Sequence, residues 1–99
     1  MWLSDIPNGF EGTLIDVRTQ EEYELNHAPG AVNIPMGRMW MDAGDIDKMP
    51  RPLVLYCNEG LRSGWAILVL RMLGLKDLYN GGGWVDVTRE IKNREALLG

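Results

Sequence analysis

The most informative segment of the chain is Leu53-Val54-Leu55-Tyr56-Cys57-Asn58-Glu59-Gly60-Leu61-Arg62-Ser63. Its first four residues form a short apolar run that predicts a buried strand over 53–56. The residues that follow predict a helix over 64–73, which Gly74 ends because glycine suits the left-handed residue after a helix. A cysteine at such a corner lies above a helix N-terminus, whose free N–H groups and dipole favour thiolate over thiol. The segment therefore predicts that Cys57 is a reactive thiolate.

The rest of the chain predicts strands that alternate with helices. The predicted elements are strands over 13–17, 31–34 and 77–80, helices from Thr19 to before Pro29, over 36–43 and over 84–98, a flexible turn at 81–83, and an edge segment or loop over 1–12. This alternation is typical of an α/β fold, with a parallel sheet of four to five strands and helices on both faces. Ligands of such sheets bind beyond the carboxyl ends of the strands, which is where Cys57 falls.

The composition is that of one globular domain over residues 1–99. Hydrophobic residues make up 45% of the chain and charged residues 24%, and the formal net charge is −4. A negative chain is a poor nucleic-acid binder, and no segment approaches the roughly 20 apolar residues that span a bilayer. One cysteine allows no internal disulfide and no cysteine-based zinc site. Because no signal-peptide pattern opens the chain, we expect a cytoplasmic protein, or a periplasmic one if the sequence is a trimmed mature form.

The loop after Cys57 has further features that suit a bound anion. Gly60 predicts a bend that needs a positive φ or a close backbone approach, and the glycines of 81–83 would also allow a backbone to approach this loop. Arg62 supplies a planar, permanently charged donor. Four residues lie between Cys57 and Arg62, one fewer than cysteine phosphatases use. The smaller ring of amides favours a sulfur atom carried on Cys57 over a phosphoryl group, and so disfavours a phosphatase or arsenate-handling enzyme.

Three segments of the chain resemble the rhodanese family, in particular the small single-domain thiosulfate sulfurtransferases of bacteria. They are Leu14-Ile15-Asp16-Val17-Arg18 with Glu22-Tyr23, then His27-Ala28-Pro29-Gly30-Ala31-Val32-Asn33-Ile34-Pro35, and Tyr56 to Ser63 with Ala66, Leu70 and Gly74. The resemblance implies a rhodanese-like three-layer fold. It also implies transfer of a sulfane sulfur from thiosulfate or a persulfide donor to a thiol, a thiol protein or cyanide, through a persulfide on Cys57. No metal or organic cofactor is expected.

The resemblance also implies roles for individual residues. Cys57 is the expected nucleophile, the Asp16–Arg18 ion pair is expected to support the loop, and the expected substrate-binding residues are Asn58, Glu59, Gly60, Leu61, Arg62 and Ser63. Glu59 and Leu61 depart from the family pattern. Because the Glu59 carboxylate would repel a dianion such as thiosulfate, we expect a less charged persulfide or a protein partner as the natural donor. The alternative function is a non-catalytic sulfur-relay or protein-binding module.

Other candidate residues are expected to be structural. His27 is expected to be a hydrogen-bonded structural residue and not a general base. The acidic residues Glu21, Glu22 and Glu24 are expected on a solvated helix face. The apolar run 65–70 predicts core packing under a covering neighbour, with a dimer or partner surface as the alternative.

Overall fold

The fold is a parallel sheet with helices between its strands. The computed structural model describes the backbone of residues 12–98 and the side chains of residues 12–93. The elements are β1 (Thr13–Asp16), α1 (Gln20–Leu25), β2 (Val32–Asn33), α2 (Met39–Ile46, after a 3-10 turn at Met36–Arg38), β3 (Leu53–Cys57), α3 (Leu61–Met72), β4 (Leu78–Gly83) and α4 (Trp84–Leu98). All pairs are parallel in the order β2-β1-β3-β4. Among residues 12–98, no helix has the length and apolar character needed to cross a bilayer.

The sheet is covered on both faces, which confirms the predicted three-layer α/β class. Every residue of β3 is buried, and successive side chains of a strand point to opposite faces. Leu55 and Cys57 pack in one apolar cluster with buried residues of α2 and α3. Val54 and Tyr56 pack in a second cluster with Val87 of α4. The end of β3 is therefore held from both sides, and this fixes the position of Cys57.

Several predicted boundaries differ from the observed ones. The second strand is limited to Val32–Asn33, α2 extends to Ile46, and α3 begins at Leu61, directly after the bend. Within the apolar run 65–70, Trp65 and Leu68 are exposed and the other four residues are buried, so the expected cover is wrong at these two positions. The prediction for 1–12 lies outside the described residues, apart from Gly12.

The glycines at 81–83 are not the flexible turn that the sequence predicts. They belong to β4, which pairs with β3 through a register shift after Leu55. A Cβ atom on Gly83 would lie 2.5 Å from the carbonyl oxygen of Asn58. The alternative prediction, a backbone approach to the Cys57 loop, is confirmed, and it explains why this strand carries no side chain there.

Candidate active site

Cys57 is the last residue of β3, and its sulfur receives hydrogen bonds from the loop that follows. The backbone N–H of Gly60 donates to Cys57 Sγ at 2.9 Å, and the Ser63 hydroxyl lies 3.5 Å from the same sulfur. Gly60 has φ 93°, in the left-handed region that favours glycine. A Cβ on Gly60 would also lie 3.3 Å from the Cα of Gly82. The predicted bend is confirmed, and it turns the loop N–H groups toward the sulfur.

The surroundings of Cys57 favour its ionised form. Burial raises the pKa of the thiol, since only 1% of the residue is exposed. Hydrogen bonds from the Ser63 side chain and from the backbone N–H groups of Ser63, Glu59 and Gly60 lower it, and together they outweigh burial. The net result is a pKa below the ordinary value of a thiol. The Cys57 sulfur is thus buried beneath the loop, where fixed hydrogen-bond donors stabilise its negative charge.

Asn80 holds the loop after Cys57 in place through three hydrogen bonds, and the sequence did not mark it as a site residue. Its Nδ2 donates to the Gly60 carbonyl at 3.0 Å, while its Oδ1 accepts from Gly82 N–H at 2.9 Å and from the Ser63 hydroxyl at 2.7 Å. These contacts fix the orientation of the amide. Because a hydroxyl carries one proton, Ser63 either donates to Asn80 or rotates to donate to the Cys57 thiolate. No local sequence signal marked Asn80, because two of its three partners, Gly60 and Ser63, lie far from it in sequence, in the segment that follows β3.

Asp16 and Arg18 form a buried ion pair behind the loop. Arg18 Nη2 lies 2.7 Å from Asp16 Oδ2, and the two residues are 3% and 0% exposed. Arg18 also donates from Nη1 to Asn58 Oδ1 at 3.2 Å and from Nη2 to the Asn26 carbonyl. The predicted ion pair is present, and through Asn58 it contacts the loop after Cys57.

Arg62 forms an ion pair with Glu22, a residue that was expected on a solvated helix face. Its guanidinium donates to both carboxylate oxygens of Glu22, at 2.7 and 3.0 Å, and Asn58 Nδ2 donates to Glu22 at 2.7 Å. The prediction for Glu22 is therefore wrong, although Glu21 and Glu24 are exposed. The hydrogen bonds from Arg62 hold the pKa of Glu22 far below its usual range despite some burial.

The other predicted site residues lie at the rim or outside the site. Glu59 and Leu61 are exposed, and Leu61 is 79% accessible to solvent. His27 Nδ1 lies 2.8 Å from the Tyr23 carbonyl, and its ring stacks on the Tyr23 ring at 3.8 Å. His27 therefore makes the structural contacts that were expected of it. Cys57, Gly60 and Ser63 meet at the sulfur, whereas Asn58 and Arg62 turn toward Glu22.

Sulfurtransferases are among the known proteins to which this chain is similar. The family model of the rhodanese-like domain matches residues 2–90. Thiosulfate sulfurtransferase PspE of Escherichia coli is 35% identical over 74% of this chain and 71% of its own length. A tRNA sulfurtransferase of Thermoplasma acidophilum is 29% identical over 87% of this chain, which spans only 17% of that protein. A solved E. coli rhodanese with anions superposes with a TM-score of 0.67 and 35% identity, over 75% of this chain and 88% of that one.

Proposed function

Because this chain belongs to the rhodanese-like domain family, we propose that it is a sulfurtransferase that carries sulfur on Cys57. The observation that supports this most directly is the 2.9 Å hydrogen bond from Gly60 N–H to Cys57 Sγ. A thiolate is the nucleophilic form of cysteine, and preorganised N–H groups stabilise it where it is needed. The same N–H groups are placed to stabilise an anionic persulfide on that sulfur.

The proposed reaction has two displacements. In the first, Cys57 Sγ attacks the outer sulfur of thiosulfate or the terminal sulfur of a persulfide. A bond between the two sulfurs forms, the bond from the transferred sulfur to the donor breaks, and sulfite or a thiolate leaves with the electron pair. In the second, an acceptor thiolate or cyanide attacks the terminal sulfur, and Cys57 leaves as the thiolate. Residues 1–99 contain one cysteine, so an acceptor thiol must come from outside these residues.

Intact-mass measurement tests this function. Incubation with thiosulfate, or with a persulfide donor, is expected to add one sulfur, about 32 Da, to the wild-type chain and none to Cys57→Ser. Cyanide is then expected to remove that mass and to yield thiocyanate. A wild-type mass that stays unchanged with both donors would refute the proposal.

A sulfur-relay module is the second candidate, and one feature favours it. Four apolar side chains that start in the loop and continue along α3 are exposed: Leu61, Trp65, Leu68 and Met72. A partner protein that delivers or collects sulfur would contact such a stripe, whereas a small donor would not need it. Fast loading of Cys57 from a protein persulfide, together with slow loading both from thiosulfate and from a small organic persulfide, would favour the relay over the enzyme.

A further inference from the structure

The Glu22 carboxylate is paired with the guanidinium of Arg62. It accepts two hydrogen bonds from Arg62 and one from Asn58. Arg62 is the one cationic residue of the segment 57–63. A carboxylate and a sulfonate bind a guanidinium through the same two-oxygen geometry. Glu22 therefore holds the place on Arg62 that an anionic donor would take.

This pairing also changes the charge that a donor meets. The side chains of Arg62 and Glu22 are 33% and 28% exposed, so they lie at the surface of the site and not in its core. Arg62 directly precedes Ser63, whose hydroxyl lies 3.5 Å from the Cys57 sulfur, so the Arg62–Glu22 pair belongs to the same loop as the reacting sulfur. Because Glu22 neutralises Arg62 and the exposed Glu59 adds another carboxylate, the charged side chains of Glu22, Glu59 and Arg62 carry a net negative charge, which disfavours an anionic donor.

We propose that Glu22 determines the donor charge that the site accepts, by competing with anionic donors for Arg62 and Asn58. The site then selects sulfane-sulfur donors of low charge, such as organic persulfides and polysulfides, over a dianion such as thiosulfate. This inference rests on the proposed function and deepens it, because it names the class of donor. Glu22 acts here as a specificity residue and takes no part in bond making.

A purely structural role for Glu22 makes a different prediction. Glu22 is the third helical residue of α1, and it closes a capping box with Thr19. Glutamine serves at that position of a capping box as well as glutamate does. Glu22→Gln therefore removes the charge and leaves the helix cap in place. Glu21→Gln is the matched control, since it removes the same charge from the next residue, which is exposed.

The test compares two alkylating reagents that differ in charge. Iodoacetamide is neutral and iodoacetate is an anion. In both, the Cys57 thiolate forms a bond to the CH2 carbon and iodide leaves. Glu22→Gln is expected to raise the ratio of the iodoacetate rate to the iodoacetamide rate by about tenfold, because Arg62 is freed for the anion. Glu21→Gln is expected to leave the ratio near the wild-type value. Arg62→Gln should lower the ratio, and the double variant should return it toward wild type.

Kinetics with sulfur donors then connect the ratio to specificity. In Glu22→Gln the KM for thiosulfate should fall with little change in kcat, while an uncharged organic trisulfide should show no change. An alkylation ratio that is equal in wild type and Glu22→Gln would overturn the inference, even if Cys57 loads sulfur normally. A changed ratio without any sulfur loading would overturn the proposed function and leave the charge selection standing. Failure of both reagents to modify Cys57 in every variant would overturn both.

Discussion

The hydroxyl of Ser63 is expected to control the ionisation of Cys57, and Ser63→Ala tests this. The hydroxyl lies 3.5 Å from the sulfur and is the largest of the contributions that lower the pKa of the thiol. The substitution removes one oxygen from a fully buried position and leaves the three backbone N–H donors in place. It therefore isolates the contribution of a single donor.

The size of the effect follows from the geometry. A hydrogen bond to a charged group contributes about 1.5–3 kcal/mol. The low end applies here, because the contact is long and Ser63 must give up its bond to Asn80 Oδ1 to donate to the sulfur. Since about 1.4 kcal/mol corresponds to one pKa unit, we expect Ser63→Ala to raise the pKa of Cys57 by about one unit.

The assay is the pH dependence of alkylation by iodoacetamide, whose neutrality avoids the charge effect of Glu22. Below both pKa values the thiolate fraction falls tenfold per unit, so Ser63→Ala should react about tenfold more slowly than wild type. Above both pKa values the two rates should converge. Leu61→Ala is the control in the same loop, because that side chain is exposed, and it should leave the profile unchanged.

The reasoning would be refuted by a pH profile of Ser63→Ala that coincides with that of wild type. Such a result would mean that the Ser63 hydroxyl donates to Asn80 Oδ1 at every pH and that the Cys57 thiolate is stabilised by backbone N–H groups alone. A pKa that falls in Ser63→Ala would mean that the thiol donates to Ser63, so that the serine favours the protonated form.

Two further substitutions test the framework of the site by chemical denaturation. Gly83→Ala should lower the free energy of unfolding by about 1–3 kcal/mol, because its Cβ meets the Asn58 carbonyl, whereas Gly44→Ala, with no atom within 4 Å of its Cβ, should be neutral or mildly stabilising; equal stabilities would contradict the close approach. Asp16→Asn should cost about 3–5 kcal/mol, since it leaves the buried Arg18 without its carboxylate. A loss below about 1 kcal/mol, the range of an exposed ion pair, would show that the pair is not needed for stability.

The sequence predicts the strand, the bend and the helix around Cys57 because each depends on local chemistry. An apolar run marks β3, and Gly60 supplies the φ of 93° that the bend requires. The contacts of Glu22 and Asn80 were not predictable in this way. Glu22 meets Arg62 across 40 residues of sequence, and Asn80 meets Gly60 across 20. Such partners are set by the order of the strands in the sheet, which local periodicity does not specify.

The role of the glycines at 81–83 likewise depends on a segment that is distant in sequence. From the sequence, a run of three glycines is typical of a flexible turn. In the structure these glycines belong to a strand, and the absence of a side chain at Gly83 allows the loop after Cys57 to approach it. The expectation of a turn rested on the freedom of the glycine backbone, whereas the alternative expectation, a close backbone approach, is the one that the structure confirms.

Because Gly82 and Gly83 lie against the loop after Cys57, one side of the site consists of backbone without side chains. A carbon added at Gly83 would meet the Asn58 carbonyl, and Gly82 has φ 77°, a backbone conformation that residues with side chains rarely adopt. The side chains of Glu59 and Leu61, by contrast, are exposed, and substitutions there do not meet this backbone. Substitutions at these exposed positions can therefore alter the surface around the site while the backbone beside the Cys57 sulfur keeps its shape.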